Sequence, residues 1–198
     1  MFTIKKLILL TLAISLLAGA AWSKDYTVSP STSQLQWFAS KITGKHDGAV
    51  SLKKGDLKIE SGKLKSGKIM IDMSTITVSD IEDPKYNAKL QGHLESADFF
   101  DVAKFKTAII TVKSVKALKG TQIQVKANLM IKGYIKEIDF KADLSPAAKG
   151  FKLVADIEID RTLWDIRYGS SSFFKGLGDK AIHNEIKFKV DLDLIEKK

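Results

Sequence analysis

The chain has 198 residues, a formal net charge of +9 and no cysteine. Without cysteine it forms no disulfide, so its stability must come from burial and hydrogen bonding. The only arginines are Arg161 and Arg167, and the lysines are scattered, so nucleic-acid binding is not expected. Scattered lysines do suit transient contact with an anionic membrane surface.

The N-terminus has the pattern of a secretory signal peptide. Two lysines precede an uncharged apolar run, Leu7–Leu17, which is too short to span a bilayer, and small residues follow it. We expect residues 1–23 to be the signal peptide, cleaved before Lys24, with a rival site after Ala20. An uncleaved anchor helix is the alternative. Residues 24–198 have a length that suits one domain with a full-sized core.

Most of the remaining chain alternates apolar and polar residues, which predicts strands with one dry face. The runs are separated by Gly- or Pro-containing turn signals at hairpin-like spacing, so the sheet is predicted to be mostly antiparallel. About eight such runs are present, covering residues 34–40, 49–59, 68–73, 105–115, 123–131, 138–144, 151–159 and 182–194.

Two segments depart from the strand pattern. Asp83-Pro84 can cap and start a helix, and apolar residues then recur every four positions, which predicts a short helix over Lys85–Leu94. The adjacent Phe99-Phe100 pair that follows is expected to be irregular and to plug or line one barrel end. The second segment, Asp160–Lys180, is a long aromatic-containing loop, and loops of that length are usually functional.

The last alternating run, Ile182–Leu194, is the longest. Thirteen residues at about 3.4 Å per residue span on the order of 44 Å, whereas ordinary strands have roughly five to six residues. Asn184 is the only break on its apolar side. A strand of this kind needs an equally long apolar interior, which predicts an elongated barrel or sandwich that holds an elongated hydrophobic guest.

Residues suited to catalysis or metal binding are few. His46, His93 and His183 fall in separate segments without metal-ligand spacing, and no serine lies in a nucleophile elbow. We therefore predict no catalytic residue, no metal and no cofactor. The alternative of a lipid-modifying enzyme would have to use His93, Asp98 and Arg161.

Arg161 follows an apolar strand at its exit from the sheet. Its guanidinium could pair with an acid and fix the loop, or it could meet the polar head of a ligand at the barrel mouth. The residues expected to contact a lipid are Leu35, Trp37, Ile71, Phe99, Phe100, Leu129, Phe140, Leu153, Ile157, Arg161, Trp164, Phe173, Phe174 and Phe188.

Five short motifs, in order and over nearly the whole chain after residue 25, resemble those of the YceI-like family of exported, lipocalin-like proteins. They are Tyr26-Thr27-Val28-Ser29-Pro30, Lys89-Leu90 with His93-Leu94 and Asp98-Phe99-Phe100-Asp101, Leu129-Met130-Ile131-Lys132-Gly133, Asp160-Arg161-Thr162-Leu163-Trp164 with Tyr168-Gly169, and the closing strand Ile182–Leu194.

The resemblance implies an all-β fold: an elongated, eight-stranded antiparallel lipocalin-like barrel with one short helix. It also implies that the barrel holds a long isoprenoid or similar amphiphilic lipid, such as a quinone precursor, for transport or storage. The expected location is the periplasm, with secretion as the alternative. Besides the enzyme, the rival interpretation is a stress or structural envelope protein whose barrel is filled by its own side chains.

Overall fold

The computed structural model describes residues 23–197, and the expected signal peptide therefore lies almost wholly outside the described residues. The described strands are β1 (Ser23–Val28), β2 (Gln34–Lys41), β3 (Gly44–Ala49), β4 (Ser51–Glu60), β5 (Lys63–Asp72), β6 (Thr107–Ala117), β7 (Gln122–Ile131), β8 (Tyr134–Ala147), β9 (Gly150–Asp160) and β10 (Ile182–Glu196). One α-helix, α1, spans Pro84–Glu95. Short 3-10 helices span Met73–Thr75, Arg161–Trp164 and Gly178–Lys180.

Eight of these strands close into an antiparallel barrel. The ring runs β1-β4-β5-β6-β7-β8-β9-β10, and β10 closes it by pairing with β1, where Val28 faces Leu194. The predicted eight-stranded antiparallel barrel with one short helix is confirmed. Its closing strand, β10, is fifteen residues long, slightly longer than predicted.

The strands β2 and β3 extend the wall beyond the ends of β1 and β4. β2 pairs with β10 and with β3, and the Val50 amide donates to the Leu35 carbonyl where β3 passes into β4. The sequence predicted neither β1 nor β3. Three of the six β1 residues are exposed, and β3 is built largely from polar residues and glycine, so neither has a clear period of two.

Residues 77–80, which we call the covering segment, lie along the outer edge of β3. The Thr77 amide donates to the Ala49 carbonyl (2.9 Å), and the Ser79 amide donates to the Asp47 carbonyl (2.8 Å). The approach requires glycine at position 48, because a Cβ there would lie 1.8 Å from the Thr77 carbonyl oxygen. Covering this edge removes a row of backbone groups that would otherwise be open to pairing with another chain.

The barrel has two unlike ends. The α1 end carries the β5–β6 connection with α1, the β2–β3 and β7–β8 turns and the β9–β10 loop. The hairpin end carries the short β4–β5, β6–β7 and β8–β9 turns. Toward the α1 end β8 and β9 separate, because their pairing begins only at Ala142 and Ala155 and runs from there to the hairpin end.

The helix α1 begins as the sequence indicated. The Asp83 carboxylate accepts hydrogen bonds from the Lys85 amide (2.8 Å) and the Tyr86 amide (3.1 Å), and Pro84 occupies the first turn. These contacts satisfy amides that have no partner inside the helix. The Phe100 amide then donates to the Leu94 carbonyl (3.0 Å), which turns the aromatic pair toward the barrel interior.

Candidate functional site

A cavity of about 140 Å³ lies inside the barrel. Every strand of the barrel wall from β4 to β10 contributes to its lining, as do β2 and the β5–β6 connection. The surface that faces the cavity is wholly apolar. Alternation explains this result, since residues of one parity on each strand point inward and those of the other parity point to water.

The cavity is long and narrow. On β10 its lining runs from Ile182 to Leu192, and ten residues at about 3.4 Å, tilted by about 40°, cover roughly 26 Å along the barrel axis. A cavity of about 150 Å³ accepts one benzene-sized molecule. A chain much larger than that therefore fits only if wall side chains change rotamer.

Arg161 is the one charged residue in the lining, and it is 1% exposed. Its Nε donates to the His183 carbonyl (3.1 Å), Nη1 to the Ile166 carbonyl (2.7 Å) and Nη2 to the Ile182 carbonyl (3.2 Å). Burial lowers the pKa of the guanidinium, and the charges of Asp160 and Glu185 oppose that shift only in part. Arg161 thus fixes the loop through carbonyls rather than through an acid, and it presents no polar surface to a head group in the cavity.

Aromatic side chains close the cavity at the α1 end. Phe99 and Phe100 are 7% and 8% exposed, and both line the cavity together with Leu94 of α1. The guanidinium carbon of Arg161 lies 5.9 Å from the centre of the Phe99 ring. The pair that the sequence expected to plug or line one barrel end does line it, and helix α1 holds it there.

Trp164 supports this end without entering the cavity lining. It is 1% exposed, and its indole Nε1–H donates to the Leu129 carbonyl of β7 (3.0 Å). The Lys132 ammonium donates to the Asp165 carbonyl (3.1 Å) and ties the same segment to the β7–β8 turn. These contacts hold the segment that follows β9, from Arg161 to Asp165, against β7 and the β7–β8 turn at this end of the barrel.

Asn184, the break in the apolar face of β10, anchors the β9–β10 loop. Its Oδ1 accepts a hydrogen bond from the hydroxyl of Ser170 (2.7 Å), which is fully buried, and its Nδ2 donates to Ser172 Oγ (3.0 Å). The Ser170 carbonyl in turn accepts the amides of Phe173 (3.1 Å) and Phe174 (3.0 Å). The polar side chain of Asn184 on the inward face of β10 therefore has hydrogen-bond partners in the loop.

The structure brings eleven of the fourteen predicted lipid-contact residues together around the cavity. Trp164 lies behind the lining, and Phe173 and Phe174 lie outside the barrel with 47% and 50% of their surface exposed. The eleven are Leu35, Trp37, Ile71, Phe99, Phe100, Leu129, Phe140, Leu153, Ile157, Arg161 and Phe188.

The sequence reasoning missed several lining residues. Val50 and Met73 fall within the predicted alternating runs 49–59 and 68–73 but were not named as contact residues, and Ile76 lies in the irregular β5–β6 connection, where no period marks an inward position. Leu94 belongs to the apolar residues that recur every four positions on the predicted helix, and the missing information was that this helix faces the cavity. The predicted helical stripe could have suggested it as a lining residue.

The groups available to an enzyme do not converge inside the cavity. His93 Nε2 lies 3.2 Å from Asp98 Oδ2, with the His93 side chain one-third exposed and Asp98 more so, and neither lines the cavity. The His93 ring packs edge-on against Phe99 (4.9 Å) and Tyr168 (4.6 Å). The guanidinium of Arg161 donates all of its observed hydrogen bonds to the backbone carbonyls of Ile166, Ile182 and His183. The contacts of the His93 ring therefore pack the α1 end.

Two further properties concern only residues 23–197. They contain no cluster of three or more His, Cys, Asp or Glu side chains placed to hold a metal ion. No helix among them combines the length and the apolar character needed to cross a bilayer.

Fold and cavity together define the lipocalin-like class of closed antiparallel barrels with an apolar interior. Residues 26–194 match the model of the YceI-like domain, so the chain belongs to the YceI-like family, and the resemblance seen in its motifs is confirmed. UPF0312 proteins from two strains of Pseudomonas putida are 30% identical over 95 residues, 48% of this chain and 47% of theirs. The chain thus spans about half the length of the curated relatives it matches.

Solved structures share the fold at low sequence identity. BcnA from Burkholderia cenocepacia aligns with a TM-score of 0.65 at 18% identity, over 83% of this chain and 98% of BcnA. A polyisoprenoid binding domain from Saccharophagus degradans, implicated in plant cell wall breakdown, aligns with a TM-score of 0.62 at 14% identity, over 87% of this chain and 98% of the domain. The Campylobacter jejuni YCEI protein has a TM-score of 0.53 at 16% identity, over 100% of this chain and 91% of that protein.

Proposed function

We propose that this protein binds a long isoprenoid or similar amphiphilic lipid inside the barrel, for transport or storage. The observation that carries the proposal is the wholly apolar cavity that runs along the barrel axis. The polyisoprenoid-binding domain among the structural neighbours supports the ligand class. Since the cavity surface offers no polar partner, the part of the lipid inside the barrel is hydrocarbon, and its polar head stays outside.

The hydrophobic effect supplies the affinity. Each buried CH₂ group contributes about 0.8 kcal/mol, against an association cost of about 4–15 kcal/mol. A short apolar fragment therefore binds weakly, whereas a chain that threads the length of the barrel binds tightly without any strong polar contact. The eleven lining residues are the proposed contact set.

Mass spectrometry of lipid bound to protein purified from its native host tests this proposal. We expect a stoichiometric, extractable long-chain lipid, and a delipidated sample should take up an isoprenoid alcohol again. Protein that is purified without lipid and binds no isoprenoid would overturn the proposal.

A barrel filled by its own side chains, acting in envelope stress or structure, is the second candidate. The modest cavity volume of about 140 Å³ favours it. Heat capacity separates the two candidates, because burial of a long chain gives a large negative heat-capacity change on binding. A filled barrel shows no such change on titration with isoprenoid.

We infer a binding protein rather than an enzyme, because His93 and Asp98 lie outside the cavity lining. Variants with alanine at His93 or Asp98 should leave the mass of the bound lipid unchanged. A lipid product that disappears in either variant would restore the enzyme interpretation.

The proposal includes the cellular location of the protein. Residues 1–23 would direct export, residues 24–198 would form the lipid-binding domain, and the periplasm would be the location, with secretion as the alternative. Cell fractionation together with the mass of the mature N-terminus tests this. A cytoplasmic protein that retains residues 1–23 would contradict it.

A further inference from the structure

Phe173 and Phe174 form an exposed aromatic pair on a well-anchored loop. They are 47% and 50% exposed although each is a large apolar side chain. The loop beneath them is held by the buried Ser170 and by its hydrogen bond to Asn184. The loop is thus held in place by a buried polar contact while it exposes two phenylalanines. An exposed apolar surface on an ordered loop is typical of an interaction site.

Cationic residues lie on the loop that carries the pair and next to its end. The guanidinium of Arg167 lies 4.7 Å from the centre of the Phe173 ring. Lys175 and Lys180 belong to the same loop, and Asp179 is the only acid between residues 167 and 180. Lys41 lies close by, because it pairs with Ile182 at the start of β10. Apart from the ion pair of Arg167 with Asp165, these cations form no ion pair within residues 23–197.

Most of the exposed large hydrophobic side chains lie at one end of the molecule. Of the ten large hydrophobic side chains that are exposed in residues 23–197, eight lie at the α1 end, and Leu118 and Val154 are the exceptions. The eight are Ile42, Tyr86, Tyr134, Ile135, Leu163, Tyr168, Phe173 and Phe174. The molecule therefore has an apolar, cation-flanked end and a polar, hairpin end.

We propose that the α1 end docks on an anionic lipid bilayer, with Phe173 and Phe174 inserted at the level of the head groups. Aromatic side chains favour the membrane–water interface, and nearby Lys and Arg residues are attracted by anionic lipid. The inference rests on the proposed function, because a lipid carrier must exchange its cargo with a membrane. It names the surface at which this exchange takes place.

The cavity reaches the same end. Ile182 and Arg161 line it directly beneath the β9–β10 loop. The strands β8 and β9 separate there, and the lining residues Phe140 and Ile157 stand on the two sides of that separation. A bilayer in contact with the α1 end is thus next to a part of the barrel wall where two neighbouring strands are not paired with each other.

Vesicle co-sedimentation of the full-chain protein tests docking. Wild-type protein is expected to bind phosphatidylcholine vesicles that contain one-quarter phosphatidylglycerol and to bind pure phosphatidylcholine more weakly. The F173S/F174S variant should bind the mixed vesicles about tenfold less or weaker still. The matched control, L118S/V154S, removes two exposed apolar side chains away from this end and should bind like wild type.

The outcomes separate docking from cargo binding, which is measured in the same samples by mass spectrometry. Loss of vesicle binding with unchanged bound lipid supports docking. Equal vesicle binding by the F173S/F174S variant and wild type overturns it, and so does loss of the cargo itself in that variant. A dimer that this variant abolishes, without vesicle binding by wild type, would assign the surface to a second copy and also overturn docking.

Discussion

At the scale of single residues, the two arginines of this chain have opposite roles. Arg161 is buried and donates to three backbone carbonyls, so it organises the start of β10 and the end of the Arg161–Trp164 turn. Arg167 is exposed and pairs with Asp165 (2.9 Å). Burial decides the difference, because an unpaired buried carbonyl is costly whereas an exposed ion pair contributes little.

Replacing Arg161 with alanine is expected to lower the free energy of unfolding by about 3 kcal/mol or more, since three carbonyls lose their donor at about 1–3 kcal/mol each. The matched control, Arg167→Ala, should change it by no more than about 1 kcal/mol. Urea unfolding of both variants measures the difference. Equal stabilities would show that Arg161 is not what holds the barrel end together.

Asp80 ties the covering segment to β3. Its carboxylate accepts the Asp47 amide (3.1 Å) and lies 2.9 Å from His46 Nδ1. Burial alone would raise the pKa of Asp80, but these hydrogen bonds outweigh it and hold that pKa below its usual 3.8. A carboxyl whose pKa is lowered by folding stabilises the fold above its unfolded pKa, and this contribution is lost as the pH falls through the folded pKa.

The Asp80→Asn variant should therefore lack part of the acid sensitivity of wild type. We expect the difference in unfolding free energy between the two proteins to shrink as the pH falls from about 5 to about 2. Urea midpoints measured across this range provide the test. A difference that stays constant with pH would mean that the ionised carboxylate at this position does not stabilise the fold.

At the scale of elements, β10 is both the longest strand and the platform for the functional end. Its inward residues from Ile186 to Leu192 line the cavity. Asn184, which precedes Ile186 by two residues on the same face, holds the β9–β10 loop. The pairing of β10 with β2 shifts register between Ile182 and Ile186, where this polar anchor sits. The irregularity lets one strand serve the apolar interior and a polar loop together.

The Asn184→Leu variant should loosen that loop. The buried Ser170 hydroxyl would lose its acceptor, at a cost of about 1–3 kcal/mol, which favours local opening of residues 169–181. Trypsin should then cleave after Lys175 and Lys180 several-fold faster than in wild type. Ser171→Ala, a change at an exposed neighbour, should leave the rate unaltered, and an unaltered rate in Asn184→Leu would refute the anchoring role.

At the scale of the whole molecule, closure of the sheet sets what the interior can hold. The ring of eight strands turns every inward side chain toward one axis and leaves about 140 Å³ between them. Eight strands give a barrel just wide enough for its own side chains or for one slim ligand. The amount of lipid bound should therefore be sensitive to a single bulky substitution.

Neighbouring positions on β9 provide a matched pair for this prediction. Ala155 lines the cavity, whereas Val154 is 43% exposed on the outer face. Ala155→Phe brings a phenyl ring into a space that holds about one benzene, so we expect the bound lipid to fall about tenfold or more. Val154→Phe should retain its lipid.

Overpacking by Ala155→Phe costs about 1–3 kcal/mol, so circular dichroism and thermal unfolding should first show that the variant is folded. Mass spectrometry then compares the lipid content of the two variants and wild type. Full lipid occupancy in a folded Ala155→Phe protein would place the ligand outside this cavity.

Local patterns in the sequence were enough to predict most of the wall. Alternation along residues 123–131 and 182–194 gave their inward faces correctly, and Asp83-Pro84 marked the start of α1, because pleat geometry and helix capping depend on neighbours a few residues apart. Eight of the fourteen predicted contact residues reach the cavity for the same reason, whereas Phe99, Phe100 and Arg161 line it from segments outside the strands.

Only the tertiary structure decided how the remaining parts are used. In the wall, β10 pairs with β1 over one part of its length and with β2 over another, and β3 continues the wall beyond β4. These pairings, like the carbonyl partners of Arg161, depend on segments that are distant in sequence. The outward direction of Phe173 and Phe174 and the cavity volume likewise depend on how loops cross a closed ring. A period of two tells which side of a strand is dry, but long-range pairing and packing determine how much space that dry side encloses.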